Sequence, residues 1–432
     1  MHHDLRLRDL IMETNKNRWL IALSAVGIHI CIGSVYAWSV YTKPILLKMT
    51  HLDWNLFDVT LTFSIAITFL GLSAAVMGKF VERKGPKIAG IIAAILFGLG
   101  TFSAGFAILF ESKGLLYLTY GVIGGCGLGI GYITPVSTLV KWFPDKRGLA
   151  TGLAIMGFGF ASAISAPAIK FLIDQVDISG TFFILGSVYF VVMFVSALYL
   201  ERPPEGYMPE GFKEEVANGT KKMVFNLENL TRDEAIKTPR FYGLWVMLFI
   251  NVTCGIALIS IASPLLQEVT GVTSIVAASA VGLMGIFNGA GRIIWASASD
   301  YLTRPVVYIV FFTTQIFAFY LLPNASSIFI FQILLFYIMT CYGGGFSSIP
   351  AYIGDLFGTK ELGAIHGYVL TAWAAAGLVG PSLIAYVKDI TGEYSSALYV
   401  FTGLFAVALL VSIAMLVNIN SIKSERAAIA VG

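Results

Sequence analysis

Hydrophobic residues in this chain fall in long unbroken runs rather than in alternating or striped patterns. Twelve runs can be marked, near 19–41, 57–79, 88–110, 115–140, 149–173, 181–200, 241–266, 276–299, 306–322, 327–352, 364–387 and 396–417. A hydrocarbon core about 30 Å thick needs roughly 20 apolar residues in a helix, and each run reaches or approaches that length. In lipid every backbone polar group must be satisfied internally, and continuous runs without alternation select helices over a barrel. The pattern predicts an all-α polytopic protein of twelve transmembrane helices.

A polar stretch at 201–240 divides the runs six and six. The expected organisation is an N-terminal six-helix bundle over 1–200, a cytoplasmic linker over 201–240 and a C-terminal six-helix bundle over 241–432. Within the linker, ERPPEGYMPEGFKEE and NGTKKM read as charged and flexible, and TRDEAIKTPRF as a short surface helix. The two halves echo each other. At an offset of 215, TPVSTLVKWFPDKRGLATG aligns with IPAYIGDLFGTKELGAIHG, so that Pro135 meets Pro350, Gly148 meets Gly363 and Gly152 meets Gly367. That shared spacing predicts a duplicated unit and a pseudo-symmetric pair of bundles.

Composition agrees. Hydrophobic residues make up 57% of the 432 and charged residues only 12%, against about 25% charged in soluble domains. With both termini inside, cytoplasmic stretches collect 22 of the 28 Lys and Arg, and external loops hold Lys43, Lys48, Lys113, Lys170 and Lys388. This asymmetry sets the orientation. The basic residues lie in loops, so the net charge of +3 gives no reason to expect nucleic acid as a partner. The charged residues up to Arg18 and the length of the run behind them argue against a signal peptide. Cys31, Cys126, Cys254 and Cys341 stand alone in apolar segments, so no disulfide, metal site or cofactor is expected. Neither HExxH, GxSxG nor a phosphate-binding loop occurs, which argues against an enzyme.

One charge breaks the pattern. Arg292 lies eight residues before Asp300, where its span re-enters water. That is roughly 12 Å of depth at about 1.5 Å per residue, and insertion scales put an arginine there at roughly 2.5–3.5 kcal/mol. No acid sits at similar depth, so an anionic substrate is the expected partner. Around it, His29, Gly33 and Tyr36 share a helix face. His29 is near mid-depth and is a candidate proton carrier, a conditional second cation, or a packing residue. Tyr36 and Tyr132 offer hydroxyls. Asn251 and Asn288 offer amides, Asn288 one turn before Arg292. At the cytoplasmic turns, Gly78 precedes Glu82 and Ala296 precedes Asp300 by four residues. An acid there can meet a helix terminus or a basic partner, so Glu82, Arg83 and Asp300 form a candidate latch. His366, beside the loop carrying Asp355, Lys360 and Glu361, reads as a gate or surface residue.

GKFVERKG at 78–85 resembles the loop signature of the major facilitator superfamily, with Glu82 in its usual aspartate position. GSVYAWSVY at 33–41, GCGLGIGY at 125–132, KWFPDKRG at 141–148 and NGAGRIIWASASD at 288–300 resemble its oxalate/formate antiporter family. The resemblance implies two six-helix bundles, a central site and alternating access for small carboxylates, with Arg292 matching the family's carboxylate-binding arginine. It also implies a second cation in span eleven, in a motif like YTAKG. Here LTAWAAAG places Trp373 at that position, which looks like the branch of lactate and pyruvate transporters of the monocarboxylate type. A site with one permanent cation suits one negative charge, and Trp373 offers an apolar wall with an indole N–H. The expectation is a secondary transporter of small monocarboxylates, lactate-, pyruvate- or acetate-like, coupled to protons. The alternative is carboxylate-for-carboxylate exchange such as oxalate for formate. The expected setting is a prokaryotic cytoplasmic membrane, the lipid bilayer and a small organic anion being the partners of a monomer.

Overall fold

A computed structural model describes residues 16–218 and 226–431. The charged residues before position 16 and the part of NGTKKM from 219 onward lie outside the described residues. Helices account for nearly everything described, and no strand occurs among the described residues. In chain order the principal helices are α1 (Arg18–Gly33), α2 (Ser39–Lys48), α3 (Leu56–Lys84), α4 (Pro86–Leu109), α5 (Gly125–Trp142), α6 (Arg147–Tyr199) and α7 (Pro239–Thr270). They continue as α8 (Ser274–Leu302), α9 (Arg304–Leu321), α10 (Ile328–Phe357), α11 (Leu362–Val369), α12 (Thr371–Thr391) and α13 (Ser395–Val431).

Local chemistry sets many of the boundaries. Asn55 accepts the Asp58 N–H while Asp58 returns a bond to the Asn55 N–H, a reciprocal cap that starts α3. Thr238 caps α7 with Pro239 behind it, and Gly271 ends that helix in the left-handed region at φ 69°.

Ten helical stretches of the described residues are long and apolar enough to cross a membrane. One of them is the 53-residue α6, which carries a non-helical residue at Asp177 (φ 67°) and so holds two crossings. The 29-residue α8 lies outside that set of ten and adds a further membrane-length helix. The expected twelve spans are thereby accounted for. The first span differs from a simple rod: a 3₁₀ turn at Ser34–Ala37 separates α1 from α2, within the GSVYA stretch. The tighter turn eclipses residues three apart, so Gly33 and Tyr36 stay on one face, and with His29 they stand against Phe158 of α6. The fourth span opens with a wider π-helical stretch at Tyr117–Gly124.

Before the linker, α6 packs on α1 and α4, and α3 on α5; after it, α8 packs on α10, α7 on α12 and α9 on α13. Helices are joined across the linker chiefly by α3 with α11 and α12 and by α6 with α8, and α10 also meets α5 and α6 while α11 meets α5. The linker is partly anchored. Leu227, Glu228 and Leu230 donate backbone N–H groups to Asp355, Leu356 and Phe357 carbonyls at 2.7, 3.1 and 2.9 Å, satisfying the end of α10. The expected surface helix is a single turn, Arg232–Ala235, capped by Thr231 and Glu234. Hydrogen bonds from Lys79 and Arg232 hold the exposed Asp233 carboxyl below its ordinary range.

Candidate substrate site

Arg292 projects from α8 into the seam between α6 and α10, with 1% of its surface exposed. Gly343 of α10 makes room for it, since a Cβ there would fall 2.2 Å from the Asn288 carbonyl and 3.1 Å from Arg292 Cγ. Its Nε donates to Asn288 Oδ1 at 3.2 Å, one turn earlier on the same helix. Its Nη1 donates to the Ile155 carbonyl at 3.2 Å, on α6 across the linker. Phe158 and Phe346 rings lie 5.7 and 5.5 Å from the guanidinium carbon, within cation–π range. Nη2 is buried without a partner. Among the described residues no carboxylate pairs with this arginine.

An aromatic cage continues from there. Trp373 of α12 lies 4.7 Å from Phe346, 5.5 Å from Phe158, 5.4 Å from Tyr132 and 6.3 Å from Tyr36, ring centre to ring centre. Its indole N–H and the Tyr132 hydroxyl are both buried without a partner. The Tyr36 hydroxyl stands 3.5 Å from that of Tyr342, again across the linker. The sequence did not single out Phe158 or Phe346. Phe158 was findable, because the 215-residue offset pairs it with Trp373. Phe346, following three glycines, carried no such signal.

Of three further candidates, His29 sits as the packing alternative had it, and Asn251 and His366 are placed differently from their sequence expectation. His29 is fully buried, and both ring nitrogens face backbone carbonyls: Nδ1 that of Ala154 at 2.5 Å, Nε2 that of Tyr132 at 3.2 Å. It ties α1 to α5 and α6, donating to one of these carbonyls as the neutral ring and to both when protonated. The Asn251 amide is likewise engaged, donating to the Tyr342 carbonyl at 3.3 Å and accepting from Gln315 at 3.2 Å. His366 is no surface residue. It is 1% exposed, its ring is 5.8 Å from that of Tyr132, and its Nδ1 has no partner.

At the linker end the bundle is closed by two matching joints. Glu82 of α3 accepts the Gly363 N–H at 2.8 Å, at the start of α11. Asp300 of α8 accepts the Gly148 and Leu149 N–H groups at 2.8 and 3.0 Å, at the start of α6. Each acid caps a helix that lies across the linker in sequence, where the unpaired N–H groups and helix dipole favour negative charge. Gly148 and Gly363 are the glycines the repeat places in register. Lys141 pairs with Glu82 at 2.6 Å and Arg304 with Asp300 at 2.7 Å. Arg147 and Arg304 share Asp355, each at 3.0 Å. Arg83 stands exposed at the end of α3, outside this joint; the cation beside Glu82 is Lys141.

Comparison with known proteins gives this geometry a family. The Major Facilitator Superfamily model matches residues 25–381 and 244–428. The chain is similar to the uncharacterized MFS-type transporter YhjX of Escherichia coli, 27% identical over 82% of this chain and 84% of that one. It is 26% identical to the oxalate:formate antiporter of Oxalobacter formigenes, over 87% of this chain and 86% of that one. It is also 26% identical to monocarboxylate transporter 12 of Xenopus laevis, over 81% and 78%. Among solved structures, the E. coli fucose:proton symporter superposes with a TM-score of 0.68 at 13% identity, covering 93% of this chain and 99% of that one, a likeness of fold.

Proposed function

As a member of the major facilitator superfamily, this chain is a secondary transporter of small organic or anionic solutes by alternating access, and we propose that its cargo is small carboxylates, exchanged one for another. The observation that carries the proposal is Arg292: a buried guanidinium, free of any acid among the described residues, with one amino group unpartnered. A carboxylate offers the bidentate acceptor that its planar fork fits. Trp373, Tyr132 and Tyr36 would close around the remainder of the molecule, and Asn288 would hold the guanidinium in orientation.

Exchange follows from the same charge. A carrier that returned empty would carry a buried cation with no counter-anion through its closed state, which is costly in a low-dielectric interior. Returning with a second carboxylate removes that cost. The likeness to the oxalate:formate antiporter supports exchange. In this reading the bundles 1–200 and 241–432 rock about Arg292, with linker 201–240 between them and both termini cytoplasmic. The Glu82–Gly363 and Asp300–Gly148 joints hold the linker end shut and break when it opens. His366, which the sequence offered as a gate, takes no part in either joint.

Proton-coupled monocarboxylate uptake is the second reading. It is favoured by Trp373 in the place of a second cation and by the likeness to a monocarboxylate transporter. His29, the candidate proton carrier in this reading, turns its two ring nitrogens to two carbonyls, a pair of acceptors that only the protonated ring can satisfy at once.

The deciding experiment is uptake of radiolabelled lactate, pyruvate, formate and oxalate into proteoliposomes. Exchange predicts uptake that requires an unlabelled carboxylate inside and is insensitive to an imposed pH gradient. Uptake into empty vesicles driven by a proton gradient would establish the second reading instead. Arg292→Ala should lower uptake at least about 100-fold, from the roughly 3–5 kcal/mol lost when one member of a buried charge pair is removed. Wild-type rates in that variant would end the carboxylate reading.

A further inference from the structure

Where α7 begins and α13 ends, on the linker side, the two helices enclose a groove that the proposed transport path does not use. Its volume is about 460 Å³. Arg240 and Asn418 form a polar mouth, and the lining continues over Val246, Val411, Ala414 and Met415. Val246 lies six residues beyond Arg240 on α7, roughly 9 Å deeper at about 1.5 Å per residue. Gly243 lets the helices close on each other at the groove, since a Cβ there would fall 2.5 Å from Met415 Sδ. The flanking side chains Tyr242, Ile413 and Val417 are exposed on this membrane-length pair of helices. Apolar surface of that kind faces hydrocarbon, so an occupant of the groove enters from the bilayer.

The mouth adds a second, independent observation. Arg240 is only 6% exposed, and its Nε is buried without a partner among the described residues. Its Nη2 donates to one oxygen of Glu228. Arg426 of α13 stands 3.5 Å from the other oxygen and donates to the Leu227 carbonyl. Two guanidiniums therefore share one carboxylate, and one positive charge is left uncompensated where α7 enters the membrane. A buried charged donor is costly until an acceptor completes it. A phosphate diester supplies both the charge and the paired oxygens that a guanidinium fork fits. Basic pockets between spans beside a membrane surface suit anionic head groups, and the apolar lining below suits an acyl chain.

We infer that this groove binds an anionic glycerophospholipid of the linker-side leaflet, with its head group on Arg240 and Arg426 and one acyl chain along Val246 and Val411. The inference is independent of the cargo and of Arg292.

The test is native mass spectrometry of the full, delipidated protein in detergent, titrated with dioleoyl phosphatidylglycerol or dioleoyl phosphatidylcholine. The two lipids share their chains and differ in net charge. One phosphatidylglycerol should bind wild type at least about tenfold tighter than phosphatidylcholine, each cation contributing roughly fivefold. Arg240→Gln and Arg426→Gln should each lower phosphatidylglycerol affinity about 5- to 10-fold and leave phosphatidylcholine within about twofold. Ala414→Trp fills the groove from its exposed side without altering the charges. It should weaken both lipids at least about tenfold, since the chain loses its buried methylenes. Lys87→Gln, which removes an exposed cation near the start of α4, should change either affinity less than about twofold. Equal affinity of wild type for the two lipids overturns the inference, as does phosphatidylglycerol binding unmoved by Arg240→Gln. A loss in Lys87→Gln as large as that in Arg240→Gln would mark diffuse surface charge and overturn it too. Displacement of phosphatidylglycerol by soluble glycerol phosphate would make the occupant a water-borne ester and end the lipid assignment. If Arg240→Gln fails to fold, Arg426→Gln and Ala414→Trp decide the matter, because both alter exposed side chains.

Discussion

Replacing Glu82 with alanine tests the linker-end closure at its smallest joint. The side chain accepts the Gly363 N–H at 2.8 Å and pairs with Lys141 at 2.6 Å. Both groups are largely covered, with side-chain exposures of 9% and 17%. Losing a helix-capping acceptor costs about 0.5–2 kcal/mol, and a hydrogen bond to a charged group is worth about 1.5–3 kcal/mol. Because the Lys141 ammonium can turn to water, the lower part of the combined range applies, about 2–3 kcal/mol against the closed state. That is roughly a 30- to 150-fold shift toward opening at the linker end. Ser137 reports it well, because its Cβ lies 3.3 Å from where a Gly363 Cβ would stand, directly under the joint. With Ser137→Cys introduced, maleimide labelling from the linker side should accelerate by about that factor when Glu82→Ala is added, since labelling follows the open population. The same protein without the added cysteine subtracts labelling of the four native thiols. Arg83→Ala, which alters an exposed side chain, should change the rate less than about twofold. Equal labelling in the presence and absence of Glu82→Ala, or equal acceleration by Arg83→Ala, would refute the joint.

Two further substitutions probe the same architecture. Gly148→Ala places a Cβ 1.9 Å from the Ala296 carbonyl, a backbone atom that cannot swing aside; the linker end should fail to close, seen as fast Ser137→Cys labelling together with exchange reduced at least about tenfold. Asn288→Ala removes the acceptor from Arg292 Nε, a hydrogen bond to a charged donor worth about 1.5–3 kcal/mol, and should raise KM for carboxylate about 10- to 100-fold with kcat little changed.

The spans were legible because burial in lipid acts on whole runs of residues and needs no long-range information. Arg292 was legible for the same reason, as a lone charge in an apolar run. The joint at the linker end could be read in outline, since the repeat put Gly148 and Gly363 in register and placed an acid after spans two and eight. The identity of the cation beside Glu82 could not. Arg83 is adjacent in sequence, but Lys141, 59 positions away, is adjacent in space. His29 was ambiguous by nature, for the Ala154 and Tyr132 carbonyls that engage it lie 125 and 103 residues off and carry no side-chain signature. The same applies to Asn251, whose partner Gln315 is 64 residues away on another helix. The 3₁₀ turn at Ser34–Ala37 escaped because its residues are as apolar as the helix around them.

The contact between Arg292 and the Ile155 carbonyl has a consequence for economy of transport. A peptide oxygen on the facing wall is a poor surrogate for an anion, but it is always present. In the vacant protein it would give the guanidinium somewhere to rest and would stitch the two walls together at their midpoint. Cargo that took both ends of the guanidinium fork would displace that surrogate, so loading the carrier would also unfasten it. In that reading a single backbone oxygen would discourage idle cycling and the dissipation of gradients that comes with it.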